Sequence, residues 1–150
     1  MSATETALHL LRFGRALGYE TVLVETRSGR VTSAHRGEAG EDVRDVRDVA
    51  LHERTDVVFT DHDAPGLDEM LAGVLRSSAR FIGVMGSRRH VGPYLDGLRA
   101  QGFSDEDLGR IRSPVGLNLG GQRPEEIAVS IAAGLVAARH GGDGGWLDRR

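Results

Sequence analysis

The chain has 150 residues, 39% of them hydrophobic, with 22 acidic against 19 basic side chains and a formal net charge of -3. That length supports one ordinary domain with its own core, and the mildly acidic balance excludes the basic face on which general nucleic-acid and membrane-surface binders depend. Without cysteine, disulfides, thiolate metal ligands and a sulfur nucleophile are excluded as well. All of the Lys+Arg count is arginine, so the number of arginines carries no phosphate signal and only their placement does. No apolar run approaches the roughly 20 residues of a membrane span, and the start lacks the basic residues and apolar stretch of a signal peptide. A cytoplasmic location is the expectation.

The pattern Ser2-Ala3-Thr4-Glu5 predicts a capping box, and Leu10, Phe13 and Leu17 continue at helical spacing until Gly18. Thr21 to Glu25 reads as a short β-branched strand, followed by a polar loop around Ser28-Gly29-Arg30 and a glycine-containing stretch to Gly40. Val43 to Val49 repeats every three residues, which suits either one helical turn or an edge strand. Asp56 to Thr60 is a buried strand, and Leu67, Met70, Leu71, Val74 and Leu75 fall on one helical face behind it. The next unit copies that order, with a strand from Arg80 to Met85 and a helix carrying Val91, Tyr94, Leu95 and Leu98 that closes at Gln101-Gly102. Ser104 caps a short helix bearing Leu108 and Ile111. Val115 to Leu119 reads as a last strand, and Pro124 opens a helix whose apolar residues run nearly all round, as in a helix buried on two sides. After residue 140 a glycine-rich tail ends in Trp146-Leu147, an apolar pair expected to dock back onto the body, with docking onto a partner as the alternative.

Strands alternating with helices predict an α/β fold with a mostly parallel sheet covered on both faces, spanning 1–140 with 141–150 as a tail. Ligands of such sheets sit beyond the carboxyl ends of the strands. Three motifs follow strands: Asp61-His62-Asp63, Gly86-Ser87-Arg88-Arg89, and the run containing Gly116, Asn118, Gly120 and Gly121.

Each motif has two readings. Gly86 to Arg89 is either an N-cap with solvated arginines or a phosphate seat, in which unpaired backbone N–H groups and two guanidinium forks hold an anion. Asp61, His62 and Asp63 are either a proton-transfer cluster or a turn in which an aspartate caps the backbone and His62 bonds a neighbouring strand end. The glycines at 116, 120 and 121 either let a ligand approach the backbone, with Asn118 offering donor and acceptor, or serve a tight connection. No standard metal-site spacing is present, and no catalytic residue is assigned. His9, His35, His52, His90 and His140 are expected at the surface.

Asp61-His62-Asp63-Ala64-Pro65, Gly83 to Arg89, Ser113-Pro114-Val115-Gly116-Leu117, Pro124-Glu125-Glu126-Ile127-Ala128 with Ser130, and the ending from Asp143 to Arg150 recur in that order and spacing in a known family. From Leu10 onward the chain resembles the Rossmann-like C-terminal domain of the XdhC/CoxI family, accessory proteins of xanthine dehydrogenase and carbon monoxide dehydrogenase. The resemblance implies a Rossmann-like three-layer sandwich and a chaperone that binds the molybdopterin-type molybdenum cofactor. It would present the cofactor for sulfuration, with a cysteine desulfurase as a partner, and deliver it to a molybdenum hydroxylase apoenzyme. It would need no metal ligand or turnover of its own.

The sequence departs from the family pattern in four places. The first strand and glycine-rich turn are missing ahead of the first helix, and there is no separate N-terminal domain with a Gly-Gly-Cys motif. Asn118 stands where the family has aspartate, and Arg123 where threonine caps the helix. A central strand lost from a parallel sheet leaves neighbours with backbone groups costing about 1–3 kcal/mol each if buried and unpaired. Either the sheet pairs directly across the gap, or a strand from a second chain, a homo-oligomer or separately encoded N-terminal partner, or a start upstream of residue 1, would fill it. Two other readings stand beside the chaperone: an NAD(P)-dependent oxidoreductase, which the missing G-x-G-x-x-G turn argues against, and a ligand-free scaffolding subunit.

Overall fold

Short apolar strands and amphipathic helices alternate through the chain and assemble as an α/β fold with parallel strands and helices on both faces. The computed structural model describes residues 2–43, 45–86 and 88–148, and the side chains of 43 and 88–92 lie outside that description. In order the elements are α1 (Glu5–Ala16), β1 (Val22–Val24), α2 (Ser33–Glu38), β2 (Glu41–Val43), a 3-10 turn (Val46–Asp48), β3 (Asp56–Phe59), α3 (Leu67–Leu75), β4 (Phe81–Val84), α4 (Arg88–Ala100), α5 (Asp105–Gly109), β5 (Ile111–Arg112) and α6 (Pro124–His140).

The strands form two sheets. In one, β1 pairs with β2, Val22 opposite Glu41; in the other the order is β3-β4-β5, with Val58 opposite Gly83 and Ile82 opposite Ile111. Strand alternation divides the core between the faces. Val57, Phe59, Ile82 and Val84 pack with Leu71, Val74, Tyr94 and Leu98 of α3 and α4. Val58 and Val115 pack with Leu10 of α1 and Ile131 and Leu135 of α6. Burying each such side chain contributes about 2 kcal/mol. Gly83 makes this face possible, because a Cβ there would overlap Val115 Cγ2 and stand 2.9 Å from the Phe81 ring.

Several expectations are corrected. The cap of α1 is Thr4, whose side chain accepts from Ala7 N, and Ser2 instead uses its backbone to reach Val24. The stretch read as loop to Gly40 contains α2, held by a box between Thr32 and His35. His35 is 3% exposed, its Nε2 3.1 Å from the Thr4 carbonyl, so one expected surface histidine is a core group. Over Val43 to Val49 the helical alternative holds, as a 3-10 turn at Val46–Asp48, while β2 lies ahead of it and ends at Val43. The last strand is Ile111–Arg112, earlier than the Val115 to Leu119 run. That run carries the chain to α6 and borrows one rung, Val115 N to Val84 O at 3.1 Å.

Helix α6 packs on α1 and on the sheet, but Val129 is 45% exposed, so its apolar circumference is not all covered. Arg123 makes no side-chain cap hydrogen bond to α6, and the start of the helix is held instead by the Glu126 carboxylate, which accepts from both Gln122 N and Arg123 N at 3.0 Å. The apolar pair of the tail does not dock onto the body: Trp146 and Leu147 are 77% and 84% exposed.

Candidate functional site

β3 and β4 are neighbours in register, so the loops leaving their carboxyl ends emerge side by side. A Cβ on Gly86 would lie 3.6 Å from the Cβ of His62, which places the histidine loop against the turn after β4. Beside them opens a cavity of about 380 Å³ lined by His62, Asp63, Asp68, Glu69, Pro93 and Tyr94, among others. That volume falls within the usual range of small-molecule sites.

The three residues of the histidine loop face different ways. Asp61 turns inward: its Oδ2 accepts from Arg27 Nη2 at 2.8 Å and its Oδ1 from Asp63 N at 3.1 Å, an Asx turn that shapes the loop. Asp63 is largely exposed, with its carboxylate 3.5 Å from His62 Nε2. His62, 29% exposed at the side chain, reaches the cavity from beside Gly86, and Asp63 lines it as well. Asp61 is committed to an ion pair with Arg27.

That ion pair is part of a chain of contacts. Glu25, just past β1, has a side chain only 1% exposed; its carboxylate accepts from Ala3 N at 2.8 Å, Arg27 N at 3.0 Å and Arg27 Nε at 2.8 Å. Burial pushes the Glu25 carboxyl up, but the hydrogen bonds from Arg27 and the two backbone N–H groups outweigh it and hold it down at about 2. Arg27, bonded first to Glu25 and also to Asp61, is held well above its usual range. The end of β1, where a dinucleotide fold presents a carboxylate to a ribose, is therefore occupied by the protein's own groups.

Ser87 and the side chains of Arg88 and Arg89 lie outside the described residues; the backbone of α4 begins at Arg88. The third motif does not join the cavity. Gly116, at φ +105°, lies so close to α6 that a Cβ would overlap Ser130 Oγ, which donates to Leu117 O at 2.6 Å while Leu117 N donates to Ser130 O. Gly121 has the same constraint against Glu126, its Cβ position lying 2.6 Å from the Glu126 Cβ. These two glycines serve the tight connection onto α6. Gly120, at φ +77°, has open space around it, and Asn118 is exposed.

Electrostatically the described lining is not the positive cradle the arginine turn suggests. It holds one histidine and three carboxylates, Asp63, Asp68 and Glu69, the last two in the first turn of α3. Asp68 and Glu69 escape sequence reasoning because they belong to a helix surface with ordinary periodicity, and only their position in the first turn after a strand end could have found them. Tyr94, read from the sequence as part of an apolar stripe, is buried and lines the cavity from the second turn of α4.

The family model described as the XdhC Rossmann domain matches residues 1–135. Over 79 residues, 53% of this chain and 15% of the relative, the sequence is 34% identical to the uncharacterized protein YqeB of Escherichia coli strain K12. A crystal structure described as a xanthine dehydrogenase from Bacillus halodurans matches with a TM-score of 0.78 at 26% identity, over 93% of this chain and 41% of that one. The chain thus spans less than half the length of either protein. With its parallel strands and strand-end loops all inside the matched residues, the chain belongs to the XdhC Rossmann-domain family.

Proposed function

We propose that this chain is an accessory domain for an enzyme of the xanthine dehydrogenase or carbon monoxide dehydrogenase type, holding a molybdopterin-type cofactor for transfer to the apoenzyme and catalysing no turnover itself. Family membership supplies the class. The observation that supports the reading is the apposition of His62 and Gly86, which sets the histidine loop against the turn leading into α4, with His62 sharing a cavity wall with Pro93 and Tyr94 of that helix.

The donor set fits the organic part of such a cofactor. A pterin's amino-pyrimidinone edge presents N–H groups, and carboxylates are acceptor-only, so Asp63, Asp68 and Glu69 suit that edge, with His62 able to donate or accept beside it. The phosphate is assigned to the amino end of α4, with Gly86, Ser87, Arg88 and Arg89, because three acidic walls repel it from the rest of the cavity. The bound cofactor would supply a molybdenum centre ligated by its own sulfurs; this chain's residues orient and shield it. The loop of Gly116, Asn118, Gly120 and Gly121 is left with a structural role at Gly116 and Gly121.

Titration of the purified chain with molybdopterin, and separately with NAD(P)H, tests the proposal. Saturable binding of the pterin alone supports it. Binding of the nucleotide alone would replace it with the oxidoreductase reading, which the engaged Glu25 carboxylate disfavours, and binding of neither would leave a scaffold.

A further inference from the structure

The contact between Arg27 and Asp61 is more than the buried charges require. Glu25, 1% exposed at the side chain, is neutralised by Arg27, whose Nε and Nη2 donate to its two oxygens at 2.8 and 3.1 Å, and it takes further bonds from Ala3 N and Arg27 N. That pair is complete without a second carboxylate. Nη2 nevertheless donates again, at 2.8 Å, to Asp61 Oδ2 in the loop after β3, although β1 and β3 belong to different sheets.

The planarity of a guanidinium makes this second bond directional. Nε and Nη2 share one edge of the fork, and both are held by Glu25, so the remaining N–H of Nη2 points in one fixed direction. Asp61 meets it with Oδ2 and turns Oδ1 to the Asp63 N–H at 3.1 Å, closing the turn that carries His62. With both oxygens engaged, the carboxylate is not free to rotate. On its other side the loop meets the turn after β4, where a Cβ on Gly86 would lie 3.6 Å from the His62 Cβ. His62 and Asp63, both on the cavity wall, are thus held from two directions.

We infer that Arg27, acting through Asp61, is a positioning residue of the cavity: it sets where His62 and Asp63 stand on the wall. Neither Arg27 nor Asp61 lines the cavity, so their effect on a ligand is indirect. The end of β1 thereby belongs to a site built on the other sheet. The consequence for affinity rests on the cofactor reading, whereas the placement itself can be read without a ligand.

Asp61→Asn is the informative variant, because its amide oxygen still accepts from Asp63 N and the Glu25–Arg27 pair stays whole, while its N–H groups meet Arg27 Nη2 donor against donor. Without ligand, the Asp63 amide is expected to exchange about tenfold faster and the His62 ring signals to shift in the NMR spectrum, with Tm lowered by less than about 3 °C. Arg27→Lys, which keeps a charge beside Glu25 but cannot serve both carboxylates, is expected to repeat both changes. With molybdopterin, Asp61→Asn is expected to weaken binding about tenfold in the native background and about threefold or less in a His62→Ala background, because a residue it acts through is then gone. Native exchange and ring signals in both variants overturn the positioning. Shifted signals with unchanged affinity overturn its bearing on the ligand, and a tenfold loss that persists in full without His62 marks a general loss of folding rather than of placement. A native chain that binds no molybdopterin defeats the cofactor reading alone, since the ligand-free signals still decide the placement.

Discussion

Arg27 donates through Nη2 to Asp61 at 2.8 Å, and so ties the loop after β3 to the end of β1 across the space between the sheets. The same guanidinium neutralises the buried Glu25. Arg27→Ala leaves that carboxylate with two backbone donors, at Ala3 and at residue 27 itself, and the distant Arg30 Nε at 3.8 Å, but without its guanidinium partner. The expected cost is about 3 kcal/mol, read from urea denaturation, with Arg27→Lys recovering only part because a single ammonium cannot serve both carboxylates.

Acid sensitivity follows from the same group. The Glu25 carboxyl is depressed in the folded protein to about 2. A depressed carboxyl contributes stability that is complete above its unfolded value of about 4.3 and is lost as pH falls toward the folded value, because in that window the unfolded chain binds the extra proton. The contribution is about 3 kcal/mol. Measured by circular dichroism between pH 5 and pH 2, the decline in stability of the native chain should be steeper than that of Glu25→Gln. Parallel curves would remove Glu25 as the source.

Gly83→Ala tests the packing of α6 on the sheet. The added methyl overlaps Val115, and overpacking of this kind costs about 1–3 kcal/mol. Val115→Ala alone opens a cavity and also destabilises. Combined, the two changes should cost less than their sum, since the new methyl enters the space the valine vacates; strictly additive losses in thermal unfolding would refute the contact.

For the site, His62→Ala is expected to weaken molybdopterin binding about tenfold while Tm shifts by less than about 3 °C, because the side chain is partly exposed and its loop is shaped by Asp61. Arg88→Ala with Arg89→Ala should weaken binding of the phosphorylated pterin more than that of a pterin lacking phosphate. Isothermal titration of both ligands reads the difference, and equal losses for the two would reassign the arginines.

The β3–α3 and β4–α4 units were legible because a buried four-residue strand followed by a one-faced apolar helix leaves two different periods in the sequence. Helix α2 left no such mark. Ser33 to Glu38 has no apolar stripe and is fixed by the Thr32–His35 box and by His35 reaching Thr4, a tertiary contact between residues 31 apart. β5 is two residues long and pairs only through Ile111 and Arg112, too short for any periodic signal. At the site, the His62 loop was visible from its place after a strand, whereas the commitment of Asp61 to Arg27 depends on a partner 34 residues away. The glycines at 116 and 121 look alike in sequence to ligand-approach glycines, and only Ser130 and Glu126 reveal why no side chain fits.

The chain's one tryptophan, Trp146, stands on the tail and is 77% exposed. Its indole emission is therefore blind to the melting of the interior and starts from the red-shifted value of a solvated ring. Anything that seats the tail, whether a client enzyme or a neighbouring copy, will announce itself as a blue shift against a silent background, giving an unlabelled optical assay for assembly built into the polypeptide.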